Sequence, residues 1–348
     1  MAINPIPAIE SAVAAERLAE LITSSWISHA IGAGIELGVF DTLSEAPVSV
    51  EDLAGRLNCV PATVAQLLRG CESLELCSLG SDGSWATTPM GVLLASRAEG
   101  SQQAWARFWC HDLSALWSGL AEAVRHGRSV RSLCGVAPGF GHLADDPTRA
   151  DVFNRAMTAN SWWVAETFAR LPALNGSRHV VDVGGGYGVL LVTLLRRYPA
   201  LRGTVFDLGH AAVGARGAFE AAGVGDRAEF VAGDFFDEVP SGADTYLLKS
   251  VLHDWPDSRA TEILANCRAA MDCGARLFVV ERLASMPLSS SARDRAWARS
   301  DLNMLVAHGA SERTEGQFRA LLDATGFSIE AVHALAMGLA ALEARPVS

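Results

Sequence analysis

A glycine-rich turn at residues 182–188 restricts the fold more than any other stretch of this 348-residue chain. It reads Asp-Val-Gly-Gly-Gly-Tyr-Gly, and it lies between a strand-like run over 179–183 and a helix predicted over 189–198. Glycines at such a turn permit positive φ angles and let the backbone approach a ligand closely. The acid at the start of the turn would repel a pyrophosphate but suits a cationic ligand. The turn therefore predicts a ligand site at the end of a strand.

Strand-like runs alternate with helical stretches after this turn. We predict helices over 258–271 and 314–324, and further strands over 203–207, 228–232, 244–248 and 275–280. This alternation predicts a doubly wound α/β fold, with a parallel sheet covered by helices on both faces.

Acidic residues stand at or just beyond the ends of three consecutive predicted strands: Asp182, Asp207 and Asp234. Parallel strands end at one edge of the sheet, so the three acids are expected along that edge. Asp207 is placed to accept both hydroxyls of a ribose. Asp234 and the neighbouring Phe235 are suited to an adenine, the acid bonding the exocyclic amine while the ring stacks. The three acids together predict a nucleoside site.

The first 100 residues follow a different pattern, of helices and then a short β-ribbon. We predict a helix capped by Ser49, an amphipathic helix over 63–76, a turn over 80–83 and a return strand over 85–88. This order is typical of a winged helix. The segment carries four arginines and twelve acids, so its net charge is −8. Such a surface repels phosphate, and we expect dimerisation rather than DNA binding.

The composition is apolar and acidic. Half of the residues are hydrophobic and the formal net charge is −11, which excludes a disordered chain and argues against nucleic acid as the main partner. No uncharged apolar run reaches the roughly 18 residues that a membrane span needs. The seven cysteines are scattered without a CxxC pair, so neither a disulfide framework nor a thiolate metal site is expected. We expect a soluble cytoplasmic protein with reduced thiols.

The segment between these two halves is helical and rich in aromatic residues. Five of the nine tryptophans lie in residues 101–170, which suggests packing against something flat. We therefore include Phe108 and Trp109 among the candidate substrate contacts. The predicted organisation is a dimerisation domain over 1–100, a helical linker that lines the substrate pocket over 101–170, and a catalytic domain over 171–348.

Six motifs in the same order resemble one enzyme family. They are residues 182–188, 206–208, 233–236, 248–255, 301–305 and 311–315. Together they are similar to the S-adenosylmethionine-dependent small-molecule O-methyltransferases, both the plant caffeate/flavonoid type and the bacterial antibiotic-pathway relatives, over roughly residues 15 to 345. The resemblance implies a Rossmann-like methyltransferase domain, an N-terminal winged-helix dimerisation domain, a homodimer, and a small aromatic acceptor.

The resemblance also implies a role for individual residues. His253 falls on the catalytic base, and Glu281 and Glu312 fall on the two acids that bracket it. The implied contacts with S-adenosylmethionine are Asp182, Gly184, Gly185, Gly186, Asp207, Leu208, Asp234, Phe235 and the single lysine of the chain, Lys249. The implied contacts with the substrate are Phe153, Met157, Trp255, Met304 and His308. Asp254 is expected to cap the helix that begins near residue 257.

These residues suit the chemistry of methyl transfer to a phenol. A phenol has a pKa of about 10 and is a poor nucleophile at neutral pH. A histidine can take its proton, and a carboxylate at the other ring nitrogen fixes the tautomer and stabilises the imidazolium.

Two alternatives stay open. One is carbon or nitrogen methylation on the same scaffold. In its most specific version, the substrate is an aromatic amino acid or arylpyruvate, and His253 and His308 hold a metal. The other is a regulatory winged-helix protein without activity, which the charge of residues 1–100 opposes. We expect no metal.

Overall fold

The structure, a computed structural model, describes residues 8–137, 139–284 and 286–347. The chain forms two compact units, Met1–Ser114 and Ala115–Ser348. The division into segments 1–100, 101–170 and 171–348 stays a prediction. Among the described residues, no helix combines the length and the apolar character needed to cross a membrane.

The first unit consists of short helices and one β-ribbon, as predicted. Ser49 is the N-cap of α4, and its hydroxyl accepts a hydrogen bond from the backbone N–H of Asp52 at 3.1 Å. The amphipathic helix starts two residues before the predicted position, because Pro61 suits the first helical turn, where an N–H has no partner to lose. The elements are α1 Ala8–Ile22, α2 Ser25–Leu37, α3 Val39–Glu45, α4 Val50–Leu57, α5 Pro61–Ser73, β1 Cys77–Leu79, β2 Trp85–Thr87, α6 Pro89–Val92, α7 Gln103–Arg107 and a π-turn Phe108–Asp112.

Apolar side chains of the first unit divide between a core and an exposed face. The core gathers side chains from α3, α4, α5 and the ribbon, including Leu53, Leu68 and Trp85. Two large side chains near the junction of α1 and α2 stay outside it: Ile22 is 70% exposed and Trp26 is 69% exposed. An apolar face of this kind is typical of a protein–protein contact.

The second unit contains a seven-stranded sheet in the order β5-β4-β3-β6-β7-β9-β8. The five strands from β5 to β7 are parallel, and all five follow the predicted runs within two residues at either end. β9 pairs antiparallel with β7 and with β8, so the sheet is mixed, and the sequence analysis missed these last two strands. The strands are β3 His179–Val183, β4 Arg202–Asp207, β5 Ala228–Ala232, β6 Thr245–Lys249, β7 Arg276–Arg282, β8 Phe327–Ala334 and β9 Leu339–Pro346.

Helices cover both faces of this sheet because alternate strand residues point to opposite sides. Val181 and Leu248 pack in one core with α13 and α15, whereas Val180 and Leu247 pack in the other with α11 and α12. The helices are α8 Leu120–His126, α9 Val130–Leu133, α10 Pro147–Phe168, α11 Val189–Arg197, α12 Ala212–Ala221, α13 Asp257–Ala270, α14 Ala292–His308 and α15 Glu315–Ala324. Short 3-10 turns lie at Ser114–Gly119, Gly141–Leu143, Pro172–Leu174, Gly209–Ala211, Leu252–Asp254 and Ala336–Gly338.

Candidate active site

Three acidic residues lie at the carboxyl edge of the parallel strands, as the sequence predicts. β5, β4 and β3 are neighbours in the sheet, and Asp234, Asp207 and Asp182 belong to their carboxyl ends. The Asp207 carboxylate accepts the backbone N–H of Gly186 at 2.7 Å and that of Leu208 at 2.6 Å. The bond from Gly186 ties the end of β4 to the glycine turn after β3, and the bond from Leu208 fixes the carboxylate at the end of its own strand.

The glycine turn is shaped so that side chains would not fit. Gly184 has a φ of 71°, and a Cβ there would come within 2.9 Å of Val251 Cγ2. A Cβ at Gly185 would meet the carboxyl carbon of Asp182 at 2.7 Å. A side chain at either position would therefore clash with Val251 or Asp182, so the close approach of the turn to its neighbours requires glycine.

The acidic edge has the chemistry of a site for a cationic nucleoside. Burial raises the pKa of Asp182 to about 7, the charge of Asp207 adds to this effect, and Lys249 opposes it. Burial also raises the pKa of Asp207, against the two backbone N–H bonds. A cation bound nearby would favour the ionised form of Asp182. Carboxylates that can accept hydroxyl groups suit a cationic nucleoside better than a phosphate, which they would repel.

Lys249 ends β6, next to this edge. Its Nζ donates to the Ser161 hydroxyl on α10 at 2.7 Å. Burial lowers the pKa of Lys249 to about 8, although the charges of Glu281 and Asp182 act in the opposite direction. The lysine is thus placed between the acidic edge and the histidine centre, and its contact with a cofactor stays a prediction.

A buried histidine with two carboxylates forms the second part of the site. His253 lies in the turn Leu252–Asp254 after β6. Its Nδ1 is 3.3 Å from Glu281 Oε2 and 3.3 Å from Glu312 Oε1. The structure therefore brings together the three residues that the sequence proposes as base and bracketing acids.

Each carboxylate is held by its own set of donors. Oε1 of Glu281, on β7, accepts the backbone N–H groups of Val251 at 3.2 Å and Leu252 at 3.1 Å. Glu312 accepts the Ser300 hydroxyl at 2.6 Å. Both acids are fixed in place, so the orientation of the His253 ring follows from them.

The electrostatics of this trio favour a charged imidazole. Burial acts to lower the pKa of His253, but the charges of Glu281 and Asp254 and the bond to Glu312 raise it to about 10. Burial raises the pKa of Glu281 to about 7, against the effect of His253. Burial would also raise the pKa of Glu312, but its hydrogen bond to His253, the charge of that histidine and the bond from Ser300 together lower it.

Arg313 supports the candidate site and was not among the residues predicted for it. Its side chain is 2% exposed and donates to the carbonyls of Leu252 at 2.6 Å and Trp255 at 2.7 Å. It also donates to Asp257 Oδ1 at 2.9 Å. The arginine thereby holds both ends of the turn that carries His253. Its position directly after Glu312 in the quoted motif was the available signal.

The prediction that Asp254 caps the following helix is wrong. Pro256 occupies the N-cap position of α13, and no side chain caps it. The turn Leu252–Asp254 instead directs the Asp254 carboxylate back toward two imidazoles. Its Oδ1 is 3.6 Å from His253 Nε2 and 3.4 Å from His308 Nε2.

Aromatic side chains lie beside the histidine centre. The ring of Phe140 is centred 5.5 Å from that of Phe153, 6.3 Å from Trp255 and 5.3 Å from His308. Trp255 also lies 6.1 Å from Phe235. Phe153, Trp255 and His308 were predicted as substrate contacts, whereas Phe140 was not singled out.

The chain matches two domains of one enzyme family. A profile of the O-methyltransferase domain matches residues 117–328. A profile of the O-methyltransferase dimerisation domain matches residues 19–97. The chain belongs to the O-methyltransferase family. The resemblance drawn from the six motifs is thus confirmed, as is the fold class with its N-terminal dimerisation domain.

Relatives of this O-methyltransferase include enzymes with different acceptor atoms. Phenazine O-methyltransferase of Lysobacter antibioticus is 35% identical over 330 residues, covering 95% of this chain and 96% of the relative. Phenazine-1-carboxylate N-methyltransferase of Pseudomonas aeruginosa is 29% identical over 324 residues, with 93% and 95% covered. The structure of human N-acetylserotonin methyltransferase in complex with SAM has a TM-score of 0.87 at 26% identity and covers both chains fully, at 100% each.

Four further substrate candidates of this O-methyltransferase lie in three different helical segments. Phe108 and Trp109 belong to the first unit, where their rings contact each other edge to face at 5.5 Å. Met157 lies half-buried on α10, and Met304 is buried on α14. Their contact with an acceptor stays a prediction. Close to Met304, the buried side-chain oxygen of Asn303 has no hydrogen-bond partner among the described residues.

Proposed function

We propose that this protein transfers a methyl group from S-adenosylmethionine to a hydroxyl of a small aromatic acceptor, with His253 as the general base. S-adenosylmethionine is the methyl donor of this enzyme family, and when bound it supplies a methyl group on a sulfonium. Asp207 and Leu208 bind the ribose, and Asp234 with Phe235 binds the adenine. The turn at Gly184, Gly185 and Gly186 holds the methionyl end, next to Asp182 and Lys249.

One observation carries the assignment of the base. Both carboxylates contact Nδ1 of His253, and no hydrogen bond joins Nε2 to the described residues. A histidine oriented in this way offers Nε2 to an incoming hydroxyl, while Glu281 and Glu312 stabilise the imidazolium that forms. Asp254 Oδ1, at 3.6 Å from Nε2, adds to that stabilisation.

The other contribution to catalysis is the alignment of the acceptor with the methyl donor. An in-line displacement needs the acceptor oxygen, the methyl carbon and the sulfur in one line, and correct placement supplies about 7–11 kcal/mol of such barriers. Phe153, Trp255 and His308 are arranged to position a flat acceptor, and Phe140 packs against all three. Met157 and Met304 complete the proposed acceptor contacts of the second unit, and Phe108 and Trp109 stay candidates from the sequence.

The variant His253→Ala tests the proposal. We expect turnover to fall by about 10²-fold or more, because general base catalysis typically contributes that much, while the affinity for S-adenosylmethionine stays unchanged. Transfer of a deuterated methyl group to phenols and catechols, followed by mass spectrometry, measures turnover. His126→Ala, which removes a histidine that is 51% exposed, is the matched control. Undiminished turnover in His253→Ala would show that alignment alone suffices.

A second candidate is carbon or nitrogen methylation, with a metal at His253 and His308 in its strongest form. The position of Asp254 Oδ1 near Nε2 of both histidines favours it. Against it, the ligand-type atoms that the described residues bring within 4.8 Å of one another belong to His253, Glu281 and Glu312, without His308. Loss of activity with a chelator, restored by added iron, would establish this candidate. Activity that survives both chelation and His308→Ala would remove it.

We also propose a homodimer through the first unit. The exposed apolar side chains of α1 and α2 and the match to a dimerisation domain support it.

A further inference from the structure

A cluster of basic side chains lies next to the aromatic residues around Phe140. Its members are Arg131 on α9, His142 in the turn Gly141–Leu143, and His308 at the end of α14. Arg131 Nη1 donates to His142 Nε2 at 2.7 Å. His142 Nδ1 donates to the Gly139 carbonyl at 3.1 Å, so the ring is neutral and Nε2 is the acceptor. The histidine therefore orients the guanidinium without neutralising its charge.

Arg131 has no acidic partner in the described part of the chain. No ion pair joins its guanidinium to a carboxylate there, and the side chain is half-buried. Burial lowers the pKa of Arg131, and the charge of Arg149 lowers it further. A partly buried cation without a counter-ion is unfavourable. A guanidinium has five donors in a planar fork, and among the described residues only His142 accepts a hydrogen bond from Arg131.

One member of the cluster, His308, lies close to the proposed base His253. Gly309, with a φ of 71°, ends α14 so close to α9 that a Cβ would meet Ser129 N at 3.0 Å. This contact places His308 next to the segment that carries Arg131. Burial lowers the pKa of His308, and the charges of His253 and Arg131 add to this effect. Because Asp254 Oδ1 is 3.4 Å from His308 Nε2 and 3.6 Å from His253 Nε2, those two nitrogens are at most 7.0 Å apart.

We propose that the acceptor is an aromatic acid, and that Arg131 binds its carboxylate while its hydroxyl faces His253. A planar carboxylate matches the fork of the guanidinium, and it supplies the counter-ion that Arg131 lacks. His142 is a positioning residue for Arg131, and Phe140 packs against the ring of the acceptor. This inference rests on the proposed function, since it names the class of acceptor for the same site.

Matched pairs of ligands test the proposal. Binding of protocatechuate and of a hydroxynaphthoate to the complex with S-adenosylhomocysteine is measured by isothermal titration calorimetry, next to the carboxamides of the same two acids. We expect at least one acid to bind about 10- to 100-fold more tightly than its amide, the range typical of a hydrogen-bonded charge pair. Arg131→Gln should bring the ratio close to one, and Arg131→Lys should retain part of the preference.

Arg149→Gln is the matched control. Arg149 is an exposed neighbour that already pairs with Asp146 at 3.8 Å, so the preference for the acids should survive its removal. Failure of both acids to bind more tightly than their amides, or a preference that persists in Arg131→Gln, overturns the anion site. Transfer of a deuterated methyl group is measured on the same compounds. A preference for the acids without any labelled ether would leave the anion site standing and refute transfer to a hydroxyl.

Discussion

The charge of Glu281 should control the pH dependence of methyl transfer. Its carboxylate lies 3.3 Å from Nδ1 of His253, whose pKa is raised to about 10. Only the neutral imidazole takes a proton, so kcat/KM should rise with pH through the neutral range and level off near the pKa of His253. Glu281→Gln removes the charge but keeps an oxygen that can accept the backbone N–H groups of Val251 and Leu252.

The expected shift follows from the geometry. A charge pair at 3.3 Å interacts by about 5 kcal/mol at an effective dielectric constant of about 20. That energy corresponds to between three and four pH units at about 1.4 kcal/mol each, and it is an upper limit because Glu312 and Asp254 share the effect. We therefore expect the midpoint of the profile to move about two pH units toward acid. The plateau at high pH should fall, because a weaker base accepts the proton less readily.

The assay is kcat/KM for a phenolic acceptor at saturating methyl donor, followed by mass spectrometry from about pH 6 to about pH 10.5, a range that spans the acceptor and the base. The profiles of wild type and Glu281→Gln should cross, with the variant faster at neutral pH. Glu330→Gln, which removes a distant charge paired with Arg345, should leave the profile unchanged. A common midpoint in wild type and Glu281→Gln would refute the reasoning, since ionisation of the phenol itself would then govern the rate.

Two further predictions concern stability and assembly. Burial raises the pKa of Asp182 from 3.8 to about 7, so its contribution to stability is complete below pH 3.8 and is lost as the pH rises through 7. At about pH 8 and without methyl donor, Asp182→Asn should therefore raise the free energy of unfolding by up to about 4 kcal/mol in urea titrations, and it should weaken donor binding. The control Asp226→Asn should do neither. Equal stability of Asp182→Asn and wild type would contradict this prediction. Ile22→Asp should weaken a homodimer about 10²- to 10⁴-fold in light-scattering measurements, because a buried isoleucine contributes about 1.5–3 kcal/mol on each subunit. The control Val213→Asp changes a residue of the second unit that is 84% exposed, and it should leave the dimer affinity unchanged. A dimer affinity that Ile22→Asp does not change would place the interface elsewhere.

The parallel part of the sheet was predictable because its strands are buried on both faces. The run 179–183 is apolar throughout except for its first residue and Asp182, and strands covered on two sides require such runs. β8 has an exposed residue at every second position, as an edge strand does, and its alternation was not recognised. β9 is buried along most of its length, yet it follows no helix, so the alternation of strands and helices gave no reason to expect it.

The identity of several site residues was predictable, because it follows from residue types that occur in ordered motifs. Those motifs contain His253 and Glu312, and the family resemblance that they carry implied Glu281; the three residues are 28 and 31 residues apart along the chain and meet only in the fold. They did not predict which ring nitrogen each acid would contact. The contacts of Arg313, Asp254 and Arg131 were missed because they depend on the path of a turn or on two helices meeting, and neither leaves a periodic signal in the sequence.

The two parts of the site share one feature. Each places a buried carboxyl group beside a positive charge, which is the sulfonium of the donor at Asp182 and the imidazolium of His253 at Glu281. Asp182 has a raised pKa before the sulfonium of the donor is near, and Glu281 has one beside the base. Charge that develops next to such an acid is stabilised without moving it, because β3 and β7 fix both acids at the same edge of the sheet. Above the pKa of His253 the imidazole is neutral in the ground state, and the imidazolium forms as the acceptor loses its proton, so the carboxylates there favour the reacting state over the ground state. In that range they promote proton transfer rather than the binding of the acceptor, whereas at neutral pH the same charges keep His253 protonated and hold the rate down.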